Sequence, residues 1–240
     1  MQGYNLYRQL SEKKIIAPIV QTCLMNQTWP KNMVFPDPYY HDSHTDDYAH
    51  PSTHAVPGEL ALFHMLSLER KRLLPKEEQT FTRTFTPMMG SMVHTIVQQK
   101  LIHDGWVQPE DVEIALINEE EHWRGHADLM FKGNLVDIKT INSRSFQMLT
   151  VAKKSWVYQL HPYMHNLGLK TSMVLAIEVG MPWNMKEIRV DFKQKTLDAI
   201  YSKWERVRKA IKEDIPPDSC CDYGDHTYCP IACGGKIPKD

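Results

Sequence analysis

Apolar positions along the chain follow two spacings, and the switches between them mark out the elements. Over residues 58–74, Leu60, Phe63, Leu66 and Leu68 keep a helical spacing, and Glu69-Arg70-Lys71-Arg72 trails as a polar end. Pro87 opens a second predicted helix, a position where its missing N–H costs little. Met89, Val93, Ile96, Val97 and Leu101 form that helix's apolar stripe, with His94 in the middle. Residues 112–117, 124–131 and 135–141 then read as strands. Lys132-Gly133-Asn134 joins the last two as a tight turn. A helix follows over about 154–167, and Gly168 is its stop signal. Two more strands are expected at 172–179 and 187–192. A long helix over 195–212 places Leu197, Ile200, Trp204, Val207 and Ile211 on one face, and Pro216-Pro217 closes it. Helix, three strands, helix and strand in that order predict an α/β core with a mixed sheet.

The flanks read differently. Residues 29–57 are rich in Pro, His, Asp and Tyr and show no period, so 1–57 is expected to form an irregular N-terminal arm. Residues 58–214 hold the periodic core, and 215–240 form a cysteine-rich tail. A chain of 240 residues with 42% hydrophobic content suffices for one substantial core. No stretch approaches the roughly 20 apolar residues of a membrane span. The start, MQGYNLYRQLSEKK, is polar and lacks the apolar middle of a signal peptide, which predicts a cytoplasmic location. The formal net charge of −1 excludes strong overall steering of a polyanion. A nucleic-acid partner would need a local patch, for which Arg70-Lys71-Arg72 and Lys153-Lys154 are candidates. No Gly-x-x-x-x-Gly-Lys-Ser/Thr loop occurs, so no ATPase is expected.

Asp137 changes the picture. It interrupts the apolar run Leu135, Val136, Ile138, and a charge in such a place should be paired or should bind metal. On a strand, Asp137 and Lys139 face the same side. Asp128 sits on the neighbouring strand across the turn, and pairing would bring the two carboxylates together. They would repel unless a cation sat between them, and hard oxygen ligands suit Mg²⁺ or Mn²⁺. Phosphodiester hydrolysis needs such an ion to polarise phosphate and acidify water, and an ammonium to steady the developing charge. Asp128 with Asp137-Ile138-Lys139 is a minimal kit for that reaction.

Four motifs in order resemble the PD-(D/E)XK nucleases, in particular the RecB-like exonuclease branch. That branch includes nuclease domains of bacterial recombination helicases, CRISPR-associated adaptation nucleases and many phage exonucleases. The helical His matches His94, and Gly-x-x-Asp matches Gly125-His126-Ala127-Asp128. Asp-x-Lys matches Asp137-Ile138-Lys139, and Gln-x-x-x-Tyr matches Gln159-Leu160-His161-Pro162-Tyr163. The resemblance implies a restriction-endonuclease-like core, with a mixed central sheet flanked by helices. It implies His94, Asp128, Asp137 and the Ile138 carbonyl as ligands of Mg²⁺ or Mn²⁺. It gives Lys139 as the catalytic cation, and Gln159 and Tyr163 as contacts to the active site or the DNA. The expected activity is a metal-dependent DNA nuclease, an exonuclease on single-stranded DNA or DNA ends. Its setting would be recombination, repair or replication, beside proteins of those processes, with a phage as a source. Residues four apart share a helix face, which suits Gln159 and Tyr163, although Pro162 between them should kink the axis.

The cysteines add a second expectation. Cys23 stands alone, and Cys220, Cys221, Cys229 and Cys233 crowd the tail. In a cytoplasmic protein such a cluster reads as metal binding before disulfides. RecB-like nucleases often hold a [4Fe–4S] cluster on one early and three late cysteines. Three readings stay open: a cluster on Cys23 with three tail cysteines or on the four tail cysteines alone, Zn²⁺ on the tail with or without His226, or a metal-free tail. Two alternatives to a nuclease also stand. One is a non-catalytic DNA-binding or scaffold protein that keeps the nuclease fold, and the other is a zinc-stapled module whose tail carries the function.

Overall fold

Five strands make one sheet in sequence order. They are β1 (Val112–Asn118), β2 (Trp123–Phe131), β3 (Asn134–Asn142), β4 (Thr171–Val179) and β5 (Met185–Asp191). The computed structural model describes residues 14–26, 28–33, 48–56, 58–67, 81–179 and 183–217. The four tail cysteines and Arg70-Lys71-Arg72 lie outside that set. β1, β2 and β3 form an antiparallel meander, β3 and β4 run parallel, and β4 and β5 are antiparallel. Lys132 and Gly133 both have positive φ, at 49° and 75°, the backbone a two-residue turn needs to match strand twist. The parallel pair needs a crossover. α5 (Ser143–Met148) and α6 (Lys154–Asn166) supply it. The remaining helices are α1 (Ala17–Met25), α2 (Pro51–His54), α3 (Glu59–Leu66), α4 (Phe81–His103) and α7 (Gln194–Glu213).

Both sheet faces are covered. Leu135, Val174, Ala176, Ile188 and Val190 pack with Phe63, Leu160, Met164, Ile200 and Trp204 of α3, α6 and α7. Their strand neighbours Val136, Ile138, Leu175 and Ile177 pack with Val20, Val93, Val97 and Leu101 of α1 and α4. Alternate residues feed opposite cores, as the pleat requires. The central strands β3 and β4 therefore read as near-continuous apolar runs. The result is the expected α/β architecture, a mixed sheet flanked by helices as in a restriction-endonuclease-like core.

Several elements differ from the sequence reading. α4 starts at Phe81, so Pro87 lies inside the helix and not at its first position. Pro87 is exposed, and inside the helix it leaves one backbone carbonyl without its intrahelical donor. α5 was not expected. Asn142 caps it by accepting from the Ser145 N–H at 2.9 Å. The first 57 residues carry no readable period, yet several of the described parts are built into the cores. Ile16, Ala17 and Val20 are buried beside α4. Glu187 of β5 caps the start of α1, accepting from the Ile15 and Ile16 N–H groups at 2.8 and 2.7 Å. Ala49 makes a parallel bridge to Trp123 of β2.

α7 clamps this early segment. Trp204 is fully buried and its indole N–H donates to the His54 carbonyl at 2.8 Å. Lys203 donates to the Ala55 carbonyl at 2.7 Å. Trp204→Ala should lower unfolding free energy by about 3–5 kcal/mol, since it empties a large buried volume and orphans a carbonyl. Urea unfolding followed by intrinsic fluorescence measures it, and a loss under 1 kcal/mol, roughly that of a surface change, would place Trp204 outside the core.

Candidate metal centre

The centre forms where β2 and β3 part. Their pairing joins Leu129 to Val136, Met130 to Leu135 and Phe131 to Asn134, next to the turn. Continuing that register would set Asp128 opposite Asp137. There the Asp128 side chain enters, and its Oδ2 accepts from the Ile138 N–H at 2.7 Å. The carboxylate takes the place of a ladder carbonyl. In a strand the C=O of a residue points to the same side as its N–H, so the Ile138 carbonyl also faces β2. The side-chain alternation of β2 slips at the same point. Ala127 belongs to one core and Leu129 to the other.

Asp137 is 2% exposed. Its Oδ1 accepts from Lys139 Nζ at 2.9 Å and from Gln159 Nε2 at 3.1 Å. Its Oδ2 is buried and has no hydrogen-bond partner among the described residues. Burial pushes the Asp137 carboxyl up to about 6; Lys139 opposes the shift and the charge of Asp128 adds to it. For Lys139, burial works against the charge, yet Asp137 and Asp128 outweigh it and hold its pKa above the usual range. One ammonium against two carboxylates, with an orphaned buried oxygen, is a donor set that fits a divalent cation. Below about pH 6 a cation would have to displace the Asp137 proton, so its affinity is expected to rise with pH through that range.

α6 carries Gln159 and Tyr163 on one face, and the helix runs on through Pro162. Gln159 bonds both Asp137 and the Tyr163 phenol. Burial, and then the charges of Asp128 and Asp137, drive the phenol far above its usual range, so Tyr163 is a neutral donor at any working pH. Gly125 makes room for it. A Cβ at Gly125 would sit 2.5 Å from the Tyr163 hydroxyl oxygen. The first residue of the Gly-x-x-Asp motif is thus a steric requirement of the last residue of Gln-x-x-x-Tyr.

α4 delivers His94, whose Nδ1 lies 3.6 Å from Asp128 Oδ2. One turn on, Gln98 donates to the Asp128 carbonyl at 2.9 Å and to Glu113 Oε1 at 2.7 Å. Glu113 had not been singled out in the sequence. Among the described residues, His94, Glu113 and Asp128 form a group whose ligand atoms lie within 4.8 Å of one another. The structure therefore gathers His94, Asp128, Asp137, Ile138, Lys139, Gln159 and Tyr163, and adds Glu113. The only sequence sign of Glu113 is an acid at the start of a strand, which solvated strands also carry.

Cys23 is placed elsewhere. It is buried between α1 and α4, and its thiol donates to Asp104. Burial, and then that bond, push it up to about 11. Asp104 in turn receives the fully buried Lys100 at 2.6 Å. His161 is a core histidine, contacting the Val157 carbonyl through Nδ1 at 2.6 Å and accepting from the Lys193 N–H through Nε2 at 3.2 Å. Lys153 and Lys154 lie over the rings of Trp156 and Tyr158. No described helix is long and apolar enough to cross a membrane.

No family model and no curated protein matches the sequence. Among solved structures, the protein SSO0001 is similar with a TM-score of 0.45 and 13% identity, over 90% of this chain and 94% of that one. An alkaline exonuclease from Laribacter hongkongensis is similar with a TM-score of 0.44 and 10% identity, over 69% of this chain and 92% of that one. Similarity at this level does not reach to activity.

The Gly125–Tyr163 fit generates a prediction. Gly125→Ala should destabilise the fold by about 1–3 kcal/mol through overpacking. Tyr163→Phe in the same chain should recover part of that loss, because the nearest clashing atom is the hydroxyl oxygen. A double-mutant cycle in urea measures the coupling. Strictly additive losses would mean that the two residues do not meet.

Proposed function

We propose that the chain is a Mg²⁺- or Mn²⁺-dependent deoxyribonuclease, acting as an exonuclease on single-stranded DNA or DNA ends in recombination, repair or replication. The observation that carries this reading is the buried Asp137, with one oxygen unpartnered, set beside Asp128 at the point where two strands part. A bound cation would polarise the scissile phosphate and acidify an attacking water. Asp128, Asp137, His94 and the Ile138 carbonyl are the groups to hold it. Lys139 is 22% exposed at its side chain, so it can meet a phosphate oxygen while still paired to Asp137. There it steadies the negative charge that grows on phosphorus-bound oxygens. Gln159 fixes the direction of Asp137, and Tyr163 supplies a neutral donor to the same wall.

Of the cysteine readings, the core position of Cys23 favours a cluster held by the four tail cysteines over one that includes Cys23. Its thiol proton is already engaged by Asp104.

The test is cleavage of labelled single- and double-stranded DNA with Mn²⁺, beside Asp137→Ala and Lys139→Ala. Each substitution should lower the rate by a factor on the order of 10²–10³, the usual cost of losing a charge-stabilising group. Wild-type inactivity on every substrate would reject the reading, and with retained DNA binding it would favour a scaffold. Undiminished activity in both variants would move the site elsewhere.

A further inference from the structure

The β1–β2 ladder skips one position. Val112 pairs with Leu129 and Ile114 with Ala127, which leaves Glu113 opposite Asp128. Glu113 has φ of 49°, a left-handed backbone that a glutamate adopts at a cost. Gln98 holds its carboxylate at the site, bonding Glu113 Oε1 and the Asp128 carbonyl with the same amide nitrogen. Two carboxylates from adjacent strands and an imidazole from α4 thus face one small space, with ligand atoms within 4.8 Å of each other. A separate observation lies beside this group: among the described residues the Oδ2 of the buried Asp137 has no hydrogen-bond partner, and Asp137 directly precedes Ile138, whose N–H donates to Asp128. Lys139 is committed to the other oxygen of Asp137.

We infer that Glu113 is a metal ligand, forming with His94 and Asp128 a seat for a divalent cation of the Mn²⁺ type. The inference rests on the proposed cation site at Asp128 and Asp137, and it adds a residue that none of the four motifs contains. The donor set argues for the ion class. Carboxylates alone suit Mg²⁺ and Mn²⁺ equally, whereas an imidazole nitrogen favours the transition metal. The seat should therefore bind Mn²⁺ more tightly than Mg²⁺.

Glu113→Gln tests it well, because the amide oxygen still serves Gln98 while the ligand charge is gone. Mn²⁺ binding is measured by electron paramagnetic resonance on metal-free protein, with Mg²⁺ as competitor. Glu113→Gln should weaken Mn²⁺ binding by about tenfold or more, with the metal-free melting temperature unchanged. Glu113→Gly, which relieves the positive φ, should weaken Mn²⁺ binding similarly without lowering that melting temperature. Mn²⁺ binding within twofold of wild type in both variants would overturn the inference, as would equal affinity for Mg²⁺ and Mn²⁺ in the wild type. Asp137→Asn reports separately on the underlying site. If it binds Mn²⁺ as wild type does, the proposed function loses its metal site whatever Glu113 does.

Discussion

A carboxylate sunk in the middle of an apolar strand sets the terms for its neighbourhood. Asp137 has Val136 and Ile138 on either side, each almost wholly buried, and one of its own oxygens has no partner. An ionised group in such a place costs several kcal/mol unless its surroundings answer it. Lys139 and Gln159 answer one oxygen from the strand itself and from α6. Among the described residues nothing partners the other oxygen. β2 and β3 part beside it, Asp128 enters the gap to meet the N–H of the next residue, Ile138, and His94 of α4 lies 3.6 Å from the same Asp128 oxygen.

The geometry explains why short motifs scattered over seventy residues come together. The Asp-x-Lys spacing works because residues two apart on β3 share a face. The Gln-x-x-x-Tyr spacing works because residues four apart on α6 share one. The glycine of Gly-x-x-Asp is needed because Tyr163 lies where its side chain would be. Asp128 has two tasks, replacing a ladder acceptor for the Ile138 N–H and turning its charge toward Asp137. Substituting it would disturb strand pairing as well as charge.

The strands and the long helices were legible because their apolar periods are strong, and Lys132-Gly133 announced its turn. The site was legible as far as it follows local spacing. Glu113 was not, because it joins His94 and Asp128 through strand register and through Gln98, which no local pattern encodes. The early segment was also opaque. Its burial depends on distant partners, with Glu187 capping α1 and Trp204 and Lys203 gripping the carbonyls of His54 and Ala55. Pro87 misled in a physical way: a proline fits a helix start best, but here it stands exposed inside α4.

The central claim is that the gap between β2 and β3 is a cation seat. Anomalous diffraction from crystals grown with Mn²⁺, collected at the manganese edge, tests it most directly. The account predicts an anomalous peak bonded to Asp128 and to the unpartnered Oδ2 of Asp137, absent from crystals of Asp137→Asn. An Asp137 Oδ2 that keeps no metal contact at saturating Mn²⁺, or a peak that survives unchanged in Asp137→Asn, would contradict it.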